Sequence, residues 1–255
     1  MKDLGKEILK RENKAIYLNE KENTIVKKFN NKLVSKSDVL AEALNQSRVE
    51  ETGLSIPSLL EVFKVDDDWC ISSTFIKGKT LAELMKENPD KEDEYLNKLV
   101  DIQIDIQQIV CPSLPLLTNK LQERISATRE IIPATTRYEL HTRLNSMPKH
   151  IKLCHCDMNP SNIIIDDNGD YHIVDWAHAC KGNASADVAM SYLYFLLNGN
   201  ENLGKKYLAI FCKKTDTALQ YIQKWIPIIA AVMSLKANEK DKKVLLSLTD
   251  VCEYE

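Results

Sequence analysis

Residues 151–176 constrain this chain more than any other stretch. Three isoleucines at 163–165 and the run His172-Ile173-Val174 are short β-type segments on either side of Asp166-Asp167-Asn168-Gly169-Asp170. Asn-Gly is the strongest short-range hairpin signal, because both residues tolerate the positive φ that a tight strand reversal needs. The two segments should therefore lie side by side, with Asn162 and Asp175 near one end of the same ribbon. Upstream comes Cys154-His155-Cys156-Asp157-Met158-Asn159-Pro160, a short apolar lead-in and then a Pro-containing loop, which puts the Asp157 carboxylate at a loop mouth. An amide oxygen and a carboxylate are hard donors that suit Mg²⁺, with waters and substrate phosphates completing the shell. A second carboxylate nearby, Asp157, would take a proton from an attacking hydroxyl. Asp and Asn are also ordinary turn residues. Any one of them alone says little; the set at this spacing says more.

The periodicity changes along the chain. Residues 15–18 and 24–29 are β-type runs separated by Asn19-Glu20-Lys21-Glu22-Asn23, which suits a hairpin. Ser35 with Asp38 three residues on offers a helix N-cap. Leu40, Ala43, Leu44 and Ser47 share one helical face, and Gly53 stops the helix. Residues 59–65 and 69–74 read as two more strands around the Asp66-Asp67-Asp68 turn, so the order is β-β-α-β-β. From Thr80 the period is helical. Tyr95, Leu99, Ile102, Ile106 and Val110 mark one amphipathic helix. Leu121, Ile125 and Thr128 mark a second, ended by Pro133, and 135–146 suits a third. After Asp187 the sequence is helical again. The change near 76–79, with Gly78 as a flexible joint, divides the chain into a β-rich part, 1–76, and a mainly helical part, 77–255. The fold class is α+β.

Composition narrows the function. Thirty-four basic residues against 37 acidic ones give a net charge of −3, which argues against a nucleic-acid partner, since those proteins usually carry a basic excess. Seven glycines and eight prolines exclude repetitive and collagenous architectures. The N-terminal residues contain no apolar h-region. The longest apolar stretch, 225–235, is short for a bilayer span and contains Pro227, so no membrane association is expected. The seven cysteines (Cys70, Cys111, Cys154, Cys156, Cys180, Cys212, Cys252) are odd in number and scattered, which suits reduced thiols in a cytoplasmic protein. Cys154, His155 and Cys156 are too close in sequence to wrap one tetrahedral zinc, and no distant Cys or His pair completes such a set.

The strings HCDMNPSNIII and IVDW resemble the aminoglycoside phosphotransferase/choline kinase-like family, whose pattern is H-G-D-x-x-P-x-N, a hairpin, and then I-D-W/F. The D-x-x-x-x-N spacing followed by a second Asp is shared with kinase catalytic loops. The resemblance implies a two-lobed protein-kinase-like fold, with a nucleotide-binding N-terminal lobe and a helical lobe carrying the catalytic loop and substrate site. It implies ATP and Mg²⁺ as cofactors. The reaction would move the γ-phosphate of ATP to a hydroxyl-bearing small molecule, such as an aminoglycoside, an amino alcohol or a sugar.

By the same resemblance Asp157 orients the acceptor hydroxyl and His155 shapes its loop, while Asn162 and Asp175 hold the metal. Lys27, within 25–29, grips the ATP phosphates and pairs with Glu42; Lys28, on the other strand face, is the rival. Adenine rests against the backbone of Ser72, Ser73, Thr74 and Phe75, and Asp187 braces the catalytic loop. There are departures. Cys156 replaces the usual Gly, Asn183-Ala184-Ser185 lacks the usual Pro, and no glycine lies between residues 6 and 52. No A-P-E segment is present, which argues against a protein kinase. A catalytically inactive, kinase-like nucleotide-binding protein is the alternative that Cys156 keeps open. A metal-dependent hydrolase using His155, Asp157, Asp175 and His178 would leave the lysine and glutamate matches unexplained. Asp101, Asp105 and Glu123 are acids that could meet an amine of the acceptor.

Overall fold

The structure, a computed structural model, describes residues 2–251; Cys252 lies outside them. In chain order the strands are β1 (Lys6–Lys10), β2 (Lys14–Asn19), β3 (Thr24–Phe29), β4 (Leu59–Val65), β5 (Asp68–Thr74), β6 (Gly78–Thr80), β7 (Lys152–Cys154), β8 (Ile163–Asp166), β9 (Tyr171–Ile173) and β10 (Cys180–Gly182). The helices are α1 (Lys36–Glu50), α2 (Leu81–Glu87), α3 (Glu92–Ile106), α4 (Leu117–Ala127), α5 (Ala134–Ser146), α6 (Ala184–Leu197), α7 (Glu201–Thr215), α8 (Leu219–Gln223), α9 (Ile226–Met233) and α10 (Glu239–Ser247). They group into two compact units, Met1–Pro89 with Pro160–Ala179, and Asp90–Asn159 with Cys180–Glu255. This grouping differs from a single cut after residue 76, because β8 is hydrogen-bonded between β6 and β9 and carries the hairpin into the first unit.

In the first unit an antiparallel sheet runs in the order β1-β2-β3-β5-β4. Its edge strand β1 was not foreseen. All five of its residues are exposed, so it lacks the alternation that betrays a half-buried strand. Ser35 caps α1 by accepting the Asp38 N–H at 3.1 Å. Phe29, Val39, Ala43 and Ile71 form the core between α1 and the sheet, and Val26, Val65 and Cys70 pack on the opposite sheet face.

The buried face of α1 is not the one its leucines suggest. Val39, Glu42, Ala43, Asn45, Gln46 and Val49 are buried, while Leu40 and Leu44 are 42% and 50% exposed. Polar residues face inward because each has a partner there. Gln46 donates to Pro57 O (2.8 Å) and Ser73 Oγ (2.9 Å). Asn45 donates to Ala177 O (3.1 Å), and Glu42 meets Lys27 (2.6 Å).

The Asn-Gly hairpin forms with Gly169 at φ 88°. Its loop is longer than a two-residue turn: Asp166 Oδ1 accepts the N–H groups of Asn168 and Asp170, each at 2.9 Å. Gly78 is a close-approach residue rather than a free joint. It pairs with Asp166, and a Cβ at Gly78 would lie 2.3 Å from Ile165 O.

In the second unit α3 buries Leu96, Leu99, Val100, Ile102 and Ile106. It ends at Ile106, and Val110 instead bridges to Lys152. The acidic run Glu92-Asp93-Glu94 occupies its first turn, where the helix dipole favours negative charge. Strands β7 and β10 form a short antiparallel ribbon with Cys154 opposite Cys180 and Lys152 opposite Gly182. Phe195, Tyr207, Phe211 and Trp225 are among the fully or nearly fully buried side chains. Among the described residues, no helix is long and apolar enough to cross a membrane.

Candidate active site

In the first unit, strand alternation separates the two candidate lysines. Lys27 points to the α1 side of β3, where its Nζ lies 2.6 Å from Glu42 Oε1 and 2.9 Å from Asp175 Oδ1. Lys28 points to the other face and lies 3.6 and 3.5 Å from Asp66 and Asp68. Ile163 is opposite Ile173 in the hairpin, and Val174 N–H donates to Asn162 O at 2.9 Å. Asn162 and Asp175 therefore leave the same end of the ribbon.

Asp175 adopts φ 65°, a left-handed conformation that costs a non-glycine residue about 1–3 kcal/mol and is commonest at functional sites. The turn after it is tied down by the Asn45–Ala177 bond already described and by Trp176 Nε1 donating to Ile173 O (3.0 Å). Lys14, which sequence reasoning missed, holds the other carboxylate oxygen of Asp175 at 3.2 Å. It opens β2 and carries no local motif, so only strand register reveals it. Burial pushes the Asp175 pKa up, but the charges of Lys27 and Lys14 outweigh it and hold the carboxyl well below the usual range. Burial likewise pulls Lys27 down, and the Asp175 and Glu42 carboxylates outweigh that and hold its ammonium above the ordinary lysine value.

Ser72, Ser73 and Thr74 end the interior strand β5 and pair with Val26, Ile25 and Thr24 of β3. Thr74 N–H donates to Ser58 O (3.0 Å) and Phe75 N–H to Asn23 O (2.9 Å). The backbone of this stretch is thus largely committed to the sheet. The segment outside regular pairing is 75–77, between β5 and β6.

In the second unit the loop after β7 carries Asp157. Cys156 has φ 63°, which explains why a glycine suits this position; a side chain there costs about 1–2 kcal/mol. Its N–H donates to Asp187 Oδ1 at 2.6 Å. Asp187 is fully buried, and its Oδ2 accepts from Gln103 Nε2 (3.0 Å) and Gln107 Nε2 (3.3 Å). Tyr207 Oη donates to Gln103 Oε1, which fixes the amide orientation of Gln103. Asn183 caps α6, accepting the Ser185 N–H at 3.0 Å, and so starts the helix without a proline.

His155 is fully buried, and its Nδ1 accepts the Asp157 N–H at 3.2 Å. A ring that accepts at Nδ1 has its N–H donor on Nε2. Asp157 itself is half-buried. Asn159 Nδ2 donates to Asp157 O (2.9 Å) and Oδ1 (3.3 Å). Gln103, Gln107 and Asn159 were missed by sequence reasoning. The Asp157-Met158-Asn159 order offered a local signal for Asn159, whereas glutamines on a helix ordinarily read as surface.

Other candidates lie elsewhere. Asp101 is exposed and pairs with Lys214 (2.6 Å), and Asp105 and Glu123 are exposed. His172 sits between Ser55 Oγ (2.8 Å) and Asp166 Oδ2 (3.2 Å), and His178 is exposed. A cleft of about 890 Å³ lined by Arg143, Tyr192, Tyr221, Lys224 and Asp250 opens in the second unit. Asn183 contacts Tyr221 Oη (2.6 Å) there, which puts the cleft near the Lys152–Gly182 end of the β7–β10 ribbon.

Comparison with known proteins gives a consistent result. The model of the phosphotransferase enzyme family (APH) matches residues 8–221. A thermostable mutant of aminoglycoside phosphotransferase APH(4)-Ia, in ternary complex with ADP and hygromycin B, superposes with TM-score 0.72 at 13% identity, over 96% of this chain and 91% of that one. Aminoglycoside-3'-phosphotransferase of type VIII gives TM-score 0.64 at 11% identity, over 91% and 94%. Choline kinase LicA from Streptococcus pneumoniae gives 0.63 at 15%, over 95% and 92%. At such identities these likenesses establish the fold. Among curated proteins, none matches by sequence.

Proposed function

Since the chain belongs to the APH phosphotransferase enzyme family, we propose that it transfers the γ-phosphate of ATP, with Mg²⁺, to a hydroxyl of a small molecule. The observation that carries this is the cluster in which Lys27 Nζ bridges Glu42 and Asp175 at 2.6 and 2.9 Å, with Asn162 at the same ribbon end as Asp175. The donor set fits a divalent cation. Asp175 stays ionised, Asn162 supplies an amide oxygen, and both are hard ligands that leave room for phosphate oxygens. Bound there, Mg²⁺ would supply charge neutralisation at the phosphates.

The remaining work falls to this chain's residues. Lys27, oriented by Glu42, turns its ammonium to the phosphates, and Lys14 shares the charge of Asp175. The segment from Phe75 to residue 77 offers backbone groups to adenine. Asp157 orients the acceptor hydroxyl and takes its proton. His155 and Asp187 hold that loop in shape, from the two sides of Cys156. Phosphoryl transfer asks mainly for positioning and electrostatic neutralisation, and these groups supply both. The relatives, among them an aminoglycoside phosphotransferase solved with hygromycin B and a choline kinase, support a polar, hydroxyl-bearing small molecule as the acceptor. Cys156 takes the left-handed turn and ties its N–H to Asp187, which supports an active loop.

The test is a screen of hydroxylated metabolites for ATP consumption, with Asp157→Asn as control. The proposal expects turnover with at least one acceptor class and its loss, by a factor on the order of 10²–10³, in the variant. A thermal shift with ATP and Mg²⁺ checks binding separately, since a ligand of the folded state raises apparent stability. No shift sinks the nucleotide assignment. A shift without turnover for any acceptor favours the inactive alternative.

A further inference from the structure

In the first unit both carboxylate oxygens of Asp175 are already taken. Oδ1 meets Lys27 Nζ at 2.9 Å, and Oδ2 meets Lys14 Nζ at 3.2 Å. The two lysines differ in what else holds them. Lys27 is also tied to Glu42 at 2.6 Å, whereas among the described residues Asp175 is the one ion-pair partner of Lys14. Two ammonium groups and two carboxylates thus form a cluster that is neutral as a whole. A metal at Asp175 needs at least one of these oxygens, and Lys14 is the lysine with nothing else to keep it there. Its side chain is only 13% exposed, so water replaces a lost partner poorly, and a nearly buried ammonium without an anion is costly.

The turn beside Lys14 points the same way. Arg11-Glu12-Asn13 joins β1 to β2, and Arg11 N–H donates to Lys14 O at 2.8 Å. Asn13 O accepts from Asn30 N–H (3.0 Å), and Glu12 O from Asn30 Nδ2 (3.2 Å). In protein kinases a Gly-rich loop covers the phosphates of ATP, and glycine lets a backbone approach a ligand closely. This turn has no glycine, is pinned to Asn30 and carries the acid of Glu12. Its backbone is ill suited to cradle phosphate, while the lysine that follows it already reaches Asp175. We infer that Lys14 is a second nucleotide-binding cation: when the metal takes an oxygen of Asp175, Lys14 leaves that carboxylate for the phosphate oxygens at the β/γ end. The inference rests on the proposed reading of Asp175 as a metal ligand and gives Lys14 a role beyond sharing its charge. Mg²⁺ with a triphosphate is net negative, so the displaced ammonium finds its anion there. Lys27 stays in place because Glu42 holds it. The metal bridges β- and γ-phosphate oxygens in this class of reaction, and AMP has neither group, so Lys14 contributes selectivity for the triphosphate over AMP.

The experiment titrates the full chain in a calorimeter with AMP-PNP, a stable ATP analogue, and with AMP, each in the presence of Mg²⁺. Lys14→Met keeps the length of the side chain and drops its charge. It should weaken AMP-PNP binding about tenfold or more, the worth of one charge-assisted hydrogen bond, and AMP binding by less than about twofold. Lys14→Gln keeps a hydrogen-bond donor for Asp175 without the charge, and it should lose AMP-PNP affinity as the methionine variant does. It also carries the expectation should the methionine variant fail to fold. AMP-PNP affinity within about twofold of wild type in either folded variant overturns the inference. So does an equal weakening of AMP and AMP-PNP, which would mark Lys14 as a strut for Asp175 and nothing more. A wild-type chain that binds neither compound overturns the nucleotide reading and this inference together. A wild-type chain that binds AMP-PNP beside variants that bind it equally well overturns the inference alone, so the two failures are told apart.

Discussion

Replacing Asp187 by Asn tests the loop brace with a change of only one atom. The carboxylate accepts from three donors: Cys156 N–H on one oxygen, and Gln103 and Gln107 Nε2 on the other. An asparagine keeps one acceptor oxygen and presents an NH₂ group where the other stood. Gln107 can turn its amide to suit. Gln103 cannot, because its Oε1 already accepts from Tyr207. Whichever way the new amide turns, either the Cys156 N–H or the Gln103 amide faces a donor. The cost is one hydrogen bond to a charged group, about 1.5–3 kcal/mol, plus a stranded buried donor at about 1–3 kcal/mol.

Partial relaxation favours the lower half of that sum, about 3 kcal/mol, which for a chain of this length lowers Tm by roughly 6–12 °C. Urea unfolding followed by circular dichroism and tryptophan fluorescence measures the first number, and calorimetry the second. In the activity assay kcat should fall while the nucleotide KM changes little, because Asp187 acts through the acceptor loop. A variant within about 0.5 kcal/mol of wild type, the range of an ordinary surface change, would refute the claim that these three bonds hold the loop.

Other consequences can be checked alongside. Lys27→Met should lower ATP turnover by a factor on the order of 10²–10³, while Lys28→Met, on the opposite sheet face, should leave turnover near wild type; equal losses would mean that strand alternation had been misjudged. Asp175 has a depressed folded-state pKa, so its pairing contributes stability above the unfolded carboxylate value of about 3.9 and loses it as pH falls further. Asp175→Asn should therefore flatten the acid limb of the stability-versus-pH curve. Lys27 has a raised folded-state pKa, so its contribution is complete below the unfolded value of about 10.4 and fades as pH climbs beyond it; Lys27→Met should flatten the alkaline limb. Gly78→Ala places a methyl group against Ile165 O and should cost about 1–3 kcal/mol, as overpacking does. An unchanged urea midpoint would show that β6 gives way at no cost.

What the sequence determined on its own is whatever depends on neighbours along the chain. The hairpin at Asn168-Gly169, the Ser35 cap of α1 and the spacing from Asp157 through Asn162 to Asp175 all rest on turn, cap and period chemistry within a few residues. Such interactions form wherever the chain goes. What only the tertiary structure decided depends on strand register and on which face of an element turns inward. Lys14 reaches Asp175 across 161 positions, Gln103 and Gln107 reach Asp187 across 84 and 80, and Cys154 faces Cys180 because two strands pair in one register. The inward face of α1 shows the limit most directly. Its leucines face solvent and its Glu42, Asn45 and Gln46 face the core, because burying a polar group costs nothing net only where a partner already waits, and no local pattern records where the partners are.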